Sequence, residues 1–99
     1  MLLTTKKLLT RLETVQGITY RIREMESHGD SEFIYLTDDC VLSIEEDAAL
    51  PTISLVELMD IGGNVEVDSW VVTDDTVIDE AVAAAFTVFA EELSESQKK

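Results

Sequence analysis

A chain of 99 residues with a hydrophobic fraction of 45% makes one domain, residues 1–99, with a modest core, so its formal net charge of −14 does not signal disorder. No apolar run is long enough for a membrane span, the uncharged stretch AVAAAFTVFA having only ten residues. The start, MLLTTKKLLTRLETV, lacks the order of charged, apolar and small residues of a signal peptide, which points to the cytoplasm.

Residues 5–16 suit a first helix, with Leu8, Leu9, Leu12 and Val15 on one face, Lys6, Lys7 and Arg11 largely off it, and Gly17 as C-cap. ITYRIREM alternates as a half-buried strand, with Ile18, Tyr20 and Ile22 opposite Arg21 and Arg23. SHGDSE then reads as a turn-rich connection. FIYLT and CVLSIE follow as strands joined by Asp38-Asp39, a two-residue hairpin turn that calls for left-handed conformations. Pairing Thr37 with Cys40 puts Phe33, Tyr35, Leu42 and Ile44 on one face and Ile34, Leu36 and Val41 on the other, which predicts a central hairpin covered on both sides.

The segment PTISLVELMDIGG supports two readings. Ser54 and Glu57 form a capping box and Gly62 a possible C-cap, which favours a short helix over 55–61. Thr52, Ile53 and Val56 are β-branched, and Gly62-Gly63-Asn64 equally suits a hairpin turn after a strand. VEVDSWVV, residues 65–72, reads as a strand with Glu66 and Asp68 on one face. Beyond it Ile78, Ala81, Val82, Ala85, Phe86, Phe89, Ala90 and Leu93 mark a strong amphipathic helix, and TDDTVIDE is its N-terminus. There Asp74, Asp75 or Thr76 can cap the first free N–H groups, while Asp79 and Glu80 face the positive end of the helix dipole. The expected fold is α+β: a small single domain with a mostly antiparallel sheet of about four strands between N- and C-terminal helices, in the order α-β-β-β-(α)-β-α.

Little points to catalysis. The lone Cys40 reads as a small buried apolar residue, and His28 in SHGD as a solvated turn residue. No EF-hand, HExxH, paired-cysteine or glycine-rich phosphate pattern is present, and no triad can be written. The chain therefore reads as no enzyme, with neither metal nor cofactor.

Charge placement says more than the total. Lys6, Lys7, Arg11, Arg21 and Arg23 precede residue 24, Lys98 and Lys99 close the chain, and the 74 residues between hold 20 of the 21 acids with no lysine or arginine. Such a surface excludes direct binding to nucleic acid or an anionic membrane, because both need cations to displace counterions. A basic groove built for DNA or RNA, by contrast, would attract it. Candidate contacts are Asp30 and Glu32, Asp38 and Asp39, Glu45, Glu46 and Asp47, Glu66 and Asp68, and Asp74, Asp75, Asp79 and Glu80. A halophilic origin would spread acids over the whole chain, whereas residues 1–23 carry net +4.

In size, charge and lack of catalytic motifs the chain resembles the small acidic inhibitors that bacteriophages make against restriction, repair or CRISPR enzymes, several of them nucleic-acid mimics. That resemblance implies an inhibitor, a DNA mimic or anti-CRISPR protein among the options, whose partner is a nucleic-acid-processing enzyme with a basic groove. An immunity protein or antitoxin shares the same logic. A third reading is a structural or assembly protein, for example a phage component or chaperone. Its basis is Val77, Ala84 and Val88, an apolar flank beside the core stripe of the last helix, covered either by the first helix through Leu2 and Leu3 or by a second subunit in a homodimer.

Overall fold

The computed structural model describes residues 2–13, 24–46, 49–59 and 62–97, with the side chains of Glu24 and of 92–97 left aside. In chain order the elements are α1 (Leu3–Glu13), β1 (Glu24–His28), β2 (Ser31–Thr37), β3 (Cys40–Glu45), β4 (Thr52–Leu58), β5 (Asn64–Val71) and α2 (Asp75–Gln97). The strands form one antiparallel meander in the order β1-β2-β3-β4-β5. The domain is therefore α+β, with one more strand than expected.

The additional strand is β4, where the capping-box reading of 55–61 fails. Its burial alternates, with Ile53 and Leu55 buried and Ser54 and Val56 less so, which is the two-residue period of a strand. β-Branched residues and pairing on both sides outweigh a helix signal of one serine and one glutamate. Gly62 closes the following loop at φ +83°, and Met59 donates its amide to the Gly63 carbonyl at 2.9 Å. The expected strand over 18–25 lies outside the described residues except for its end, where β1 begins. SHGDSE shrinks to a turn at Gly29-Asp30, with Gly29 at φ +61° and the flanking residues in strands.

The β2–β3 hairpin stands where expected and Thr37 pairs with Cys40, but its faces differ. A β-bulge at Leu36 shifts the register, so that Tyr35 lies opposite Val41 and Ile34 opposite Leu42. Ile34, Leu36, Leu42 and Ile44 thus share the face beneath the helices, all fully buried, together with Ile53 and Leu55. The turn manages without left-handed aspartates, no non-glycine residue among those described having positive φ. The bulge absorbs the twist, and the Thr37 hydroxyl accepts the Asp39 amide at 3.2 Å. Phe33, Tyr35, Val41 and Val56 occupy the other face. Neither described helix lies on that face, although Val41 is buried there.

Ile78, Ala81, Val82, Ala85 and Phe89 of α2 complete the core, joined by Leu8 and Leu12 of α1. Phe86, expected in the stripe, is half exposed. Leu42→Ala should lower unfolding free energy by about 2–5 kcal/mol, and Phe33→Ala by less although it removes a larger side chain. Urea unfolding of the two variants checks this, and the reverse order would place Phe33 in the core.

Candidate functional site

The first turn of α1 contains no acid of its own, yet its free N–H groups need acceptors. Glu32 of β2 and Glu46, just beyond β3, supply them. Glu32 Oε1 accepts the Leu2 amide at 2.6 Å, and Glu46 Oε1 accepts the Thr4 amide at 2.8 Å. Glu32 reaches this point because its pairing with Ile44 turns it to the helix side of the sheet, where it is 4% exposed and also accepts the Ser27 hydroxyl at 3.2 Å. Burial pushes the Glu32 carboxyl up, but the Leu2 amide and nearby hydroxyls outweigh it, so the group ionises below its ordinary range. The Thr5 hydroxyl is among those that favour the charge, although it is buried without a partner in hydrogen-bonding geometry. Glu32 is thus an interior cap, a correction to its reading as surface, and Glu46 is half-buried in the same role.

The start of α2 follows the sequence more closely. Asp74 is the cap: its Oδ1 accepts the Thr76 amide at 2.9 Å, and the side chain and amide of Thr76 hold its carboxyl below the ordinary range. Asp75 takes Lys7 at 3.3 Å and Arg11 at 3.4 Å, and Asp79 takes the Arg11 Nε. These pairs are solvent-exposed and add little stability individually, but they fix which flank of α2 faces α1. At 100° per residue Asp79 lies about 200° around the helix from Val77. α1 therefore runs along the flank opposite Val77, Ala84 and Val88, and the expectation that Leu2 and Leu3 cover that flank is corrected. Leu2 packs on the core and Leu3 is 63% exposed, while Ala84 and Val88 pack partly against the core.

The remaining candidates divide by place. Asp30 is exposed at the β1–β2 turn, Asp38 and Asp39 at the β2–β3 turn, Glu45 at the end of β3 and Glu80 on α2. Asp47 lies outside the described residues. Glu66 and Asp68 do not share a face, because a bulge at Val67 puts Glu66 opposite Val56 and Asp68 opposite Leu55. One grouping includes two acids that the sequence did not mark as contacts. Asp38, Asp39, Glu57 and Glu91 line a depression of about 460 Å³ with Cys40, Leu55, Val67 and Val88. Cross-strand pairing of Cys40 with Glu57 carries that signal, but only once β4 is known to be a strand.

Burial and then the charge of Glu57, with Asp39 and Glu91 adding to it, push the Cys40 thiol up. His28 is exposed at the end of β1, its Nε2 3.7 Å from a Glu26 oxygen and its ring edge-on to Phe33. Among the described residues no three His, Cys, Asp or Glu side chains group to hold a metal ion, and no helix is long and apolar enough to cross a membrane. No family model, curated protein or solved structure matches the chain.

Because the folded-state pKa of Glu32 is lowered, its stabilisation is complete above the ordinary glutamate range and disappears as pH falls through the lowered value. Glu32→Gln should cost about 1 kcal/mol near neutral pH, and the gap to the parent chain should narrow toward pH ~3. Urea midpoints at the two pH values read the difference directly, and a constant gap would show that the charge of Glu32 is irrelevant to the fold.

Proposed function

We propose that this chain is a non-catalytic acidic binding protein that occupies the basic, nucleic-acid-binding site of a partner, as an inhibitor of the phage anti-defence type, anti-CRISPR proteins included. One observation carries the reading. Lys7 and Arg11 are engaged by Asp75 and Asp79, and residues 24–97 contain no lysine or arginine to neutralise the other exposed carboxylates. Like charges held on a compact surface raise its free energy, and a cationic groove relieves that cost on contact. Asp38 and Asp39, at a projecting hairpin tip beside Glu57 and Glu91, form the leading edge of such a contact.

A second reading, assembly through α2, draws on the half-exposed Phe86 and the incompletely buried Val77, Ala84 and Val88. Its signature is an oligomer indifferent to salt and lost on Ala84→Glu or Val88→Glu.

The test uses the purified chain as bait in a bacterial lysate, washed with rising salt and with added DNA or RNA. The inhibitor reading expects a nucleic-acid enzyme released by about 0.5 M NaCl and by nucleic acid, and bound at least about tenfold more weakly by the double variant Asp38→Lys, Asp39→Lys. Unchanged affinity of that variant at low salt would refute the proposed contact, and a partner that nucleic acid fails to displace would refute the site.

A further inference from the structure

The face of the sheet away from the two described helices is patterned across the strands. One cross-strand row reads Tyr35, Val41, Val56, Glu66, and the next reads Glu26, Phe33, Ser43, Ser54, Ser69. Val41, only 4% exposed, is flanked by Tyr35 and Val56 on the two neighbouring strands. Phe33, Tyr35, Val41, Val56 and Leu58 thus form a diagonal apolar strip in a depression of about 470 Å³ that Glu26 and Glu66 also line. Neither described helix lies on this side. The two glutamates stand on β1 and β5, four strand spacings or roughly 19 Å apart.

We propose that this face docks a basic amphipathic helix of the partner, with its apolar side on the strip and lysine or arginine at Glu26 and Glu66. The inference deepens the reading above and rests on it for the partner's cationic character. Charge decides the occupant. A second copy would bring the same glutamates rim to rim on a chain of net charge −14, whereas a basic helix pairs with both. Shape decides the conformation. A helix about 10–12 Å wide fits a trough of roughly 19 Å with room on each side for a cationic head, and it satisfies its own backbone hydrogen bonds. An extended segment lying on the apolar strip would leave its N–H and C=O groups without partners.

The probe is a synthetic leucine–lysine peptide of about 18 residues patterned as an amphipathic helix, against a peptide of identical composition with the leucines scrambled. Equal charge makes non-specific attraction equal. The chain should bind the patterned peptide at least about tenfold more tightly, and Leu58→Ser should remove most of that preference while Ala83→Ser, on the exposed side of α2, leaves it intact. Methyl NMR of the unaltered chain guards against a variant that fails to fold: the patterned peptide should shift the Val41, Val56 and Leu58 methyls and spare those of Leu42 and Leu55. Equal binding of the two peptides, shifts confined to Leu55, Val67 and Val88, or the same methyls shifting on dilution without peptide would each overturn the proposal. A partner displaced by nucleic acid whose binding leaves these methyls unmoved would overturn it while sustaining the functional reading. Peptide recognition without any nucleic-acid competition at the partner would do the reverse.

Discussion

Everything in this fold depends on keeping one apolar set on one face of a five-stranded sheet. Both helices lie on that face, and Ile34, Leu36, Leu42, Ile44, Ile53 and Leu55 must all meet them. A strand alternates with period two, so a slip of one residue would send every core side chain of the slipped strand to the wrong side. The bulge at Leu36 is what prevents it: a turn that pairs Thr37 with Cys40 would otherwise place Ile34 and Leu42 on opposite faces. The bulge at Val67 makes the same adjustment between β4 and β5, at an edge strand exposed along nearly its whole length. Burial on one side also defines the other, since residues excluded from the core become the patterned open face.

Electrostatics follows from the same layering. Glu32 of β2 and Glu46 just beyond β3 serve a helix that brought no acid to its first turn, and they lie within hydrogen-bonding reach of its free amides. Farther along, the bases of α1 meet the acids at the start of α2 and tie the two helices side by side. One helix is thus capped by carboxylates and then neutralises others. Elsewhere acids far outnumber bases, because the sequence places no lysine or arginine between residues 24 and 97.

How much of this the sequence revealed depends on how local each signal is. The β2–β3 hairpin, β5 and α2 were legible because their periodicity is continuous and their turn or cap residues are adjacent, as with Asp74 before α2. β4 was not, since seven residues of mixed propensity are decided by pairing with β3 and β5, which no local pattern shows. The face assignments failed for a similar reason: bulges at Leu36 and Val67 leave no local signature. Glu32 looked like a loop acid because its function depends on an amide thirty residues away, and the grouping of Glu57 and Glu91 with Asp38 and Asp39 required the strand order. The charge asymmetry, by contrast, is a property of composition and is legible without the fold.

The central claim is that the free chain carries a repulsion that a cationic partner relieves. Its most direct measurement is the thermal midpoint of the purified chain as NaCl rises from about 0.01 M to about 0.2 M, over which the screening length falls from roughly 30 Å to below 10 Å. The account predicts a midpoint that climbs steeply across this range and then levels off. A midpoint that stays flat or falls would mean that the carboxylates are already compensated within the chain, and would contradict the claim.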